Sequence, residues 1–467
     1  MSMFREKELQ LLNKYYRSGK TECVLVYGHR RIGKTSLINE FATGKRVVYF
    51  AAAKANASDN LKILSKAIAE YGNQKLETVE EFSTFDAAFD AVTDLAKKNK
   101  SVFIIRNLEY LCDADETLPA KLKKYLANDW KDTRLVLILC ESSVSFIKKE
   151  VLGSKCVLAK SITEKIKLEP LNYRESAEFH TDLSAEDNAF IYGITGGIPY
   201  YIEKLSARRR VKSSLITNLF DRNSYLYEEP GNLLRRELRE PAEYNTVLTA
   251  MAEGCEKQGE IAAAAGMETS QCNKYLKVLM DMEIVEKVDP VIWKSKRSGR
   301  YRISDSLFRF WYTFVPRNIS AVYSGRMENV YDDVVGPYVN DFVEPVFANM
   351  CRTWLWNHME DLPFKLSEIG EWWRTDPDSK EDVSLDVLGI GPKVKKCRSY
   401  IIGSCSYGDE KVGADELESM KEKAKAFAFD DDICVYYIFS KSGFSRDLKE
   451  EENKGNVKLV TLEDLFF

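Results

Sequence analysis

The sequence predicts an α/β protein with an α-rich middle: a parallel sheet, a helical lid, a winged helix–turn–helix and a second, smaller α/β domain. Three observations carry that prediction. A short β-type run, CVLVY (23–27), leads directly into GHRRIGKTSLINEF, a match to GxxxxGK[ST]. Further apolar runs recur at spacings that leave room for helices: RVVYF (46–50), VFII (102–105), RLVLILC (134–140) and KIKL (165–168). From Tyr244 onward the pattern changes to three short helical stretches followed by two β-type runs.

Length and composition bound the reading. A chain of 467 residues exceeds one ordinary core, so two to four domains are expected. Hydrophobic residues at 45% and charged residues at 30% are those of a globular chain. A net charge of −4 gives no global pull toward nucleic acid, so any such binding needs a local basic patch. Ten scattered cysteines, no CxxC pair and only three histidines argue against a zinc site and for free thiols in a reducing cytosol. The start, MSMFREKELQ, lacks a signal peptide's apolar stretch, and no apolar run approaches the roughly 18 residues that span a bilayer. The expectation is a cytoplasmic protein with no membrane partner.

The loop after the first strand comprises Gly28, His29, Arg30, Arg31, Ile32, Gly33, Lys34, Thr35 and Ser36. The glycines let the backbone curl so that successive N–H groups face a phosphate, and the following helix adds its positive end. Lys34 can reach the β- and γ-phosphates, and the Thr35 hydroxyl is placed to ligate Mg²⁺. ATP and Mg²⁺ are therefore the expected cofactors of a P-loop NTPase sheet. The competing reading, a purely structural turn, is disfavoured by the strand–loop–helix context. The segment 58–100, rich in Ala, Leu, Lys and Glu, is expected to be mostly helical.

One stretch disturbs this picture. VFIIRNLEYL (102–111) reads as a buried strand, yet it ends in Arg106 and Asn107 where a nucleotide hydrolase usually carries an acid for Mg²⁺. Guanidinium has no acceptor and keeps its charge, while an amide can orient water but not take its proton. Arg106 then reads as an added phosphate contact, as an internal substitute for Mg²⁺, or as a strand-end charge in solvent.

The order of motifs resembles the archaeal-type ATPase family, a branch of AAA+-like proteins also found in bacteria and related to the signal-transduction ATPases. The matching stretches are FREKEL, VYGHRRIGKTSLI, ESSVSF, LEPLNYRE, YGITGGIPYYIEKL and LYEEPGNLLRRELREPAEY, over the N-terminal two thirds of the chain. The resemblance implies ATP at the loop, with Phe4, Arg5 and Glu6 near the adenine. It also exposes departures. Family members carry Asp-Glu where Arg106 and Asn107 stand, Gly-Ser-Ser where Glu141, Ser142 and Ser143 stand, and an arginine in the place of Ser161. That arginine could stabilise charge on the γ-phosphate. Glu109 and Glu141 are the remaining acids that could serve an unorthodox hydrolysis.

Four segments are expected: a core at 1–165, a lid at 166–237, a winged helix at 238–315 and a C-terminal domain at 325–467. In the lid, a helix should start at Pro199, and Gly196-Gly197 should allow close packing. The run RRR (208–210) reads as a solvated helix face or a phosphate contact. The third helix of the winged unit offers Gln271, Asn273, Lys274 and Lys277, beside the acidic Asp281 and Glu283. The hairpin offers Lys294, Lys296, Arg297, Arg300 and Arg302, a basic wing that could contact DNA phosphates or a protein partner. The aromatics of SDSLFRFWYTFV read as core.

The C-terminal part, through DFVEPVF, IGEWW, VSLDVLGI and YIIGSCSYG, resembles the domain of unknown function that often follows this ATPase, which looks like the restriction-endonuclease fold. That resemblance places Asp386 in the metal-binding Asp position and Glu344 as an upstream helical acid. The Glu-x-Lys position reads Ser404-Cys405-Ser406, and two hydroxyls cannot replace a carboxylate and an ammonium. The domain is therefore expected to be degenerate and inactive as a nuclease. The leading functional expectation is an ATP-binding regulatory protein with weak or no hydrolysis. A Mg²⁺-dependent ATPase and a winged-helix DNA-binding protein are the rivals.

Overall fold

The computed structural model describes residues 2–72, 81–153, 156–205, 211–294, 299–375, 382–395, 397–428 and 432–466. The chain forms two compact units, Met1–Pro170 with Ile198–Tyr200, and Leu171–Gly197 with Tyr201–Phe467.

In the first unit five strands form a parallel sheet: β1 (Glu22–Tyr27), β2 (Val47–Ala51), β3 (Ser101–Arg106), β4 (Leu135–Glu141) and β5 (Glu164–Lys167). Their order is β2-β3-β4-β1-β5, so β4 lies between the strand that feeds the loop and the strand that ends in Arg106. All seven residues of β4 are buried, as expected where helices cover both faces of a sheet. The helices are α1 (Glu6–Arg17), α2 (Lys34–Ala42), α3 (Ala57–Tyr71), α4 (Phe85–Lys98), α5 (Leu108–Ala114) and α6 (Leu118–Ala127). The helical expectation for 58–100 resolves into α3 and α4, each opened by a side-chain cap: Asn56 accepts from the Asp59 N–H and Thr84 from the Ala87 N–H. One side of the core is aromatic. Phe89, Phe103, Tyr125 and Trp130 meet edge to face or tilted, and the buried Trp130 indole donates to Thr93 Oγ1 at 2.8 Å. The sheet continues past residue 165, because β5 runs to Lys167 and the unit to Pro170.

In the second unit α7 (Ala185–Thr195) ends at Gly196, and Gly197 lies so close to Leu171 that a Cβ there would sit 1.9 Å from the Leu171 carbonyl oxygen. The tandem glycines thus serve a backbone-to-backbone approach, fixed by the Leu171 N–H bonding the Gly197 carbonyl at 2.9 Å. A helix begins at Pro199, and the run 208–210 lies outside the described residues. After α8 (Tyr225–Glu237) come α9 (Pro241–Ala252), α10 (Gln258–Ala264) and α11 (Thr269–Asp281), then an antiparallel pair, β6 (Val285–Val288) and β7 (Arg300–Ile303). On α12 (Ser306–Phe314) the residues Phe308, Phe310, Tyr312 and Phe314 are all buried, so the aromatic run is core.

A second sheet of five strands closes the chain: β8 (Glu368–Thr375), β9 (Asp382–Val394), β10 (Cys397–Ser406), β11 (Ile433–Ser440) and β12 (Val457–Thr461). Their order is β12-β11-β10-β9-β8, antiparallel from β8 to β10 and parallel from β10 to β12. The long helix α13 (Val339–Asn357) and the shorter α14 (Ala414–Ala424) and α15 (Arg446–Glu452) accompany it.

Candidate nucleotide site

Two glycines fix the path of the loop after β1. Gly28 has φ +147, and a Cβ there would stand 2.5 Å from the Leu168 carbonyl oxygen, so only glycine fits between β1 and the end of β5. Gly33 (φ +101) caps the start of α2. Arg31 (φ +65) lays its guanidinium 4.5 Å from the centre of the Tyr200 ring. Arg5 is buried and bonds the carbonyls of Ile32 at 3.1 Å and Glu169 at 2.7 Å, which ties the loop to the chain after β5. His29, Arg30 and Ile32 complete the loop, and Ser36 lies exposed on the first turn of α2.

Lys34 is 6% exposed, and its ammonium donates to the carbonyls of Gly28 and His29, both at 2.7 Å. Burial is the main cause that pushes its pKa down to about 8; Arg30 and Arg106 lower it further, while Cys140 and Glu141 act the other way.

Arg106 lies half-buried at the end of β3 and faces the loop. Its Nη2 donates to Thr35 Oγ1 at 2.9 Å and its Nη1 to the Tyr49 hydroxyl at 3.0 Å. Thr35 is the residue expected to ligate Mg²⁺, and its hydroxyl instead accepts from a permanent cation. Asn107 is a turn residue: it takes φ +58, opens α5 and donates from Nδ2 to the Ala52 carbonyl at 2.9 Å. Glu141 is 4% exposed and accepts the N–H groups of Glu109 (3.0 Å), Ser142 (2.5 Å) and Ser143 (3.1 Å). Its carboxylate pins β4 to the start of α5. Glu109 in turn accepts from Ser143 Oγ at 3.3 Å. The strand end beside Thr35 supplies a guanidinium and an amide where a carboxylate would hold the Mg²⁺ shell, and Arg106 occupies the Thr35 hydroxyl, so this donor set does not fit Mg²⁺. Tyr49, the bonds by which Arg5 ties the loop to the chain after β5, and the pinning role of Glu141 are not legible in the sequence; each is visible only once segments distant in the chain lie side by side.

The wing residues have partners within the second unit. Arg302 meets Glu256 at 2.8 Å and both oxygens of Glu371 at 2.7 Å, and Arg352 shares Glu371 at 3.2 Å. Arg300 pairs with Asp382 (3.0 Å) and Glu256 (3.4 Å) and lies 4.7 Å from the Trp373 ring centre. Lys294 pairs with Glu368, and the Val291 N–H bonds the Glu371 carbonyl at 2.8 Å. Lys296 and Arg297 lie outside the described residues. The half-buried Arg302–Glu371 pair carries the strongest geometry. Arg302→Ala is expected to cost about 1–2 kcal/mol, because Glu256 and Glu371 each lose one of two cationic partners and keep Arg300 and Arg352 respectively. Urea unfolding followed by tryptophan fluorescence checks this, with Lys294→Ala, on an exposed pair, costing less than about 0.5 kcal/mol.

In the second sheet Asp386 accepts the Cys405 N–H at 2.9 Å, so β9 meets β10 at the Ser404-Cys405-Ser406 position. Burial raises the pKa of Asp386, and burial followed by the nearby Asp386 raises that of Glu344. Among the described residues no helix is long and apolar enough to cross a membrane, and no cluster of three or more His, Cys, Asp or Glu side chains could hold a metal ion.

Comparison with known proteins agrees with this geometry. Residues 3–205 match a family described as an ATPase domain predominantly from Archaea, and residues 311–417 match archaeal and bacterial proteins of unknown function. An uncharacterized protein of Methanocaldococcus jannaschii is 28% identical over 469 residues, covering 99% of this chain and 100% of its own. An uncharacterized ATP-binding protein of the same organism is 36% identical over 47 residues, 10% of this chain and 80% of its own. A Walker-type ATPase of Pyrococcus abyssi shares the fold at 17% identity, with a TM-score of 0.50 over 66% of this chain and 95% of that one. Residues 3–205 thus form an ATPase domain of the predominantly archaeal family, ahead of the domain of unknown function at 311–417.

Proposed function

We propose that this protein is an ATP-binding regulatory protein that holds its nucleotide with weak or no turnover. The observation that carries this reading is the Arg106–Thr35 contact: a guanidinium stands at the end of β3, on the hydroxyl that hydrolysis would need for metal. Asn107 is used in a turn and Glu141 accepts three backbone N–H groups, which supports the absence of a general base. Loss of such a group commonly costs ~10²–10⁴-fold in rate. Steady-state phosphate release with ATP and Mg²⁺ tests the reading. Release indistinguishable from that of Lys34→Ala is expected; Mg²⁺-dependent release abolished by that substitution would contradict it.

The C-terminal domain we read as nuclease-like but without metal-dependent cleavage. Two hydroxyls and a thiol occupy the Glu-x-Lys position, which leaves Asp386 and Glu344 without the second carboxylate ligand and the ammonium that cleavage needs. The helices α9–α11 with their hairpin are read as a winged-helix-type module facing protein rather than DNA, because Lys294, Arg300 and Arg302 already spend their charge on carboxylates. Salt-dependent DNA affinity that falls when Arg297 and Arg300 are neutralised would favour the DNA reading instead.

A further inference from the structure

We propose that the loop takes a nucleoside triphosphate free of divalent metal, with the Arg106 guanidinium standing where Mg²⁺ would otherwise bridge Thr35 and the phosphates. This rests on the nucleotide-binding reading above and specifies the charge state of the ligand. The Thr35 hydroxyl accepts from Arg106 Nη2 at 2.9 Å, which leaves its own proton to donate to a phosphate oxygen. Its role changes from metal ligand to hydrogen-bond donor. The guanidinium is held at its other end by the Tyr49 hydroxyl, also a neutral acceptor. Among the described residues no carboxylate pairs with Arg106, so its full charge faces the loop.

The balance of charge points the same way. Arg30 and Arg106 stand close enough to act on Lys34, and Glu141, the carboxylate that acts on it from the other side, is turned onto backbone N–H groups. Metal-free ATP carries about two more negative charges than its Mg²⁺ complex, and this ring of cations suits the more highly charged form. A divalent ion approaching Thr35 would meet a fixed guanidinium at hydrogen-bond distance and would lose the threonine as a ligand. Nη1 and Nη2 of Arg106 each keep a second N–H beside their present hydroxyl partners, and the planar fork matches two phosphate oxygens.

Calorimetric titration of the full-length protein with ATP, in excess EDTA and then in millimolar Mg²⁺, tests the inference. The expected result is binding in EDTA that Mg²⁺ leaves unchanged or weakens by up to about tenfold. Arg106→Asp should invert the dependence, binding ATP only with Mg²⁺. Arg106→Ala, a milder change, should lose about tenfold in EDTA, which keeps the test decisive should the aspartate variant fail to fold. Wild-type affinity that rises tenfold or more with Mg²⁺ would overturn the inference and leave the non-hydrolytic reading standing. No binding under either condition would sink both.

Discussion

Lys34→Ala is expected to weaken ATP binding by about 100-fold or more, with the fold intact. A buried ammonium that bonds phosphate contributes at the upper end of charge-assisted hydrogen bonds, about 2–3 kcal/mol. Lys34 donates to the carbonyls of Gly28 and His29, and burial has brought its pKa down to about 8. Two pH dependences follow from that one shift. Phosphate binds the protonated amine, so above pH about 8 binding must take up a proton, and affinity should fall by up to tenfold per pH unit. Stability without ligand runs the other way. Between about 8 and the ordinary 10.5 the unfolded chain holds a proton that the folded chain has lost, so stability rises with pH across that window. In Lys34→Ala both slopes should disappear. Titration of ATP affinity and urea stability from pH 7 to 10 measures them, within the range set by about 8 and 10.5.

Gly28→Ala should damage the first unit more than any change on its surface. The new methyl would meet the Leu168 carbonyl oxygen at 2.5 Å, and both sides of that contact are backbone. The residue also sits at φ +147, which a side chain rarely tolerates. Relief requires β1 to part from the chain after β5, which the Leu168 N–H and Tyr27 carbonyl join at 2.8 Å. Strain and overpacking together are expected to cost about 3–5 kcal/mol. Nucleotide binding should be lost with it. A urea midpoint unchanged from the wild type would contradict this account of the loop.

The parts of the molecule that were legible in the sequence are those whose cause is local. The apolar runs of β1 to β4 announce buried parallel strands because both faces are covered, and the glycines and Lys34 of the loop act within nine residues of one another. The aromatic stripe of α12 was likewise readable as core from its own spacing. What was not legible depends on partners far away in the chain. Arg106 is an anomaly in the sequence, but its meaning comes from Thr35, 71 residues earlier, and Tyr49, 57 residues earlier. Glu141 looked like a candidate base until three backbone N–H groups were found to converge on it. The basic hairpin looked open to phosphate because its carboxylate partners, Glu371 and Asp382, lie 69 and 82 residues away from Arg302 and Arg300. Charge is visible in a sequence; its neutralisation by a distant element is not.

The central claim is that ATP is held and not cleaved. A single-turnover experiment with γ-labelled ATP and excess protein addresses it most directly, because it follows bound nucleotide and released phosphate together and is blind to slow product release. With the wild type, in Mg²⁺ or in EDTA, labelled ATP should remain bound and intact over hours, and Lys34→Ala should retain about 100-fold less at the same protein concentration. Phosphate released with Mg²⁺ by the wild type, and not by Lys34→Ala, would mean that another acid supplies the base and that the Arg106–Thr35 contact does not end hydrolysis.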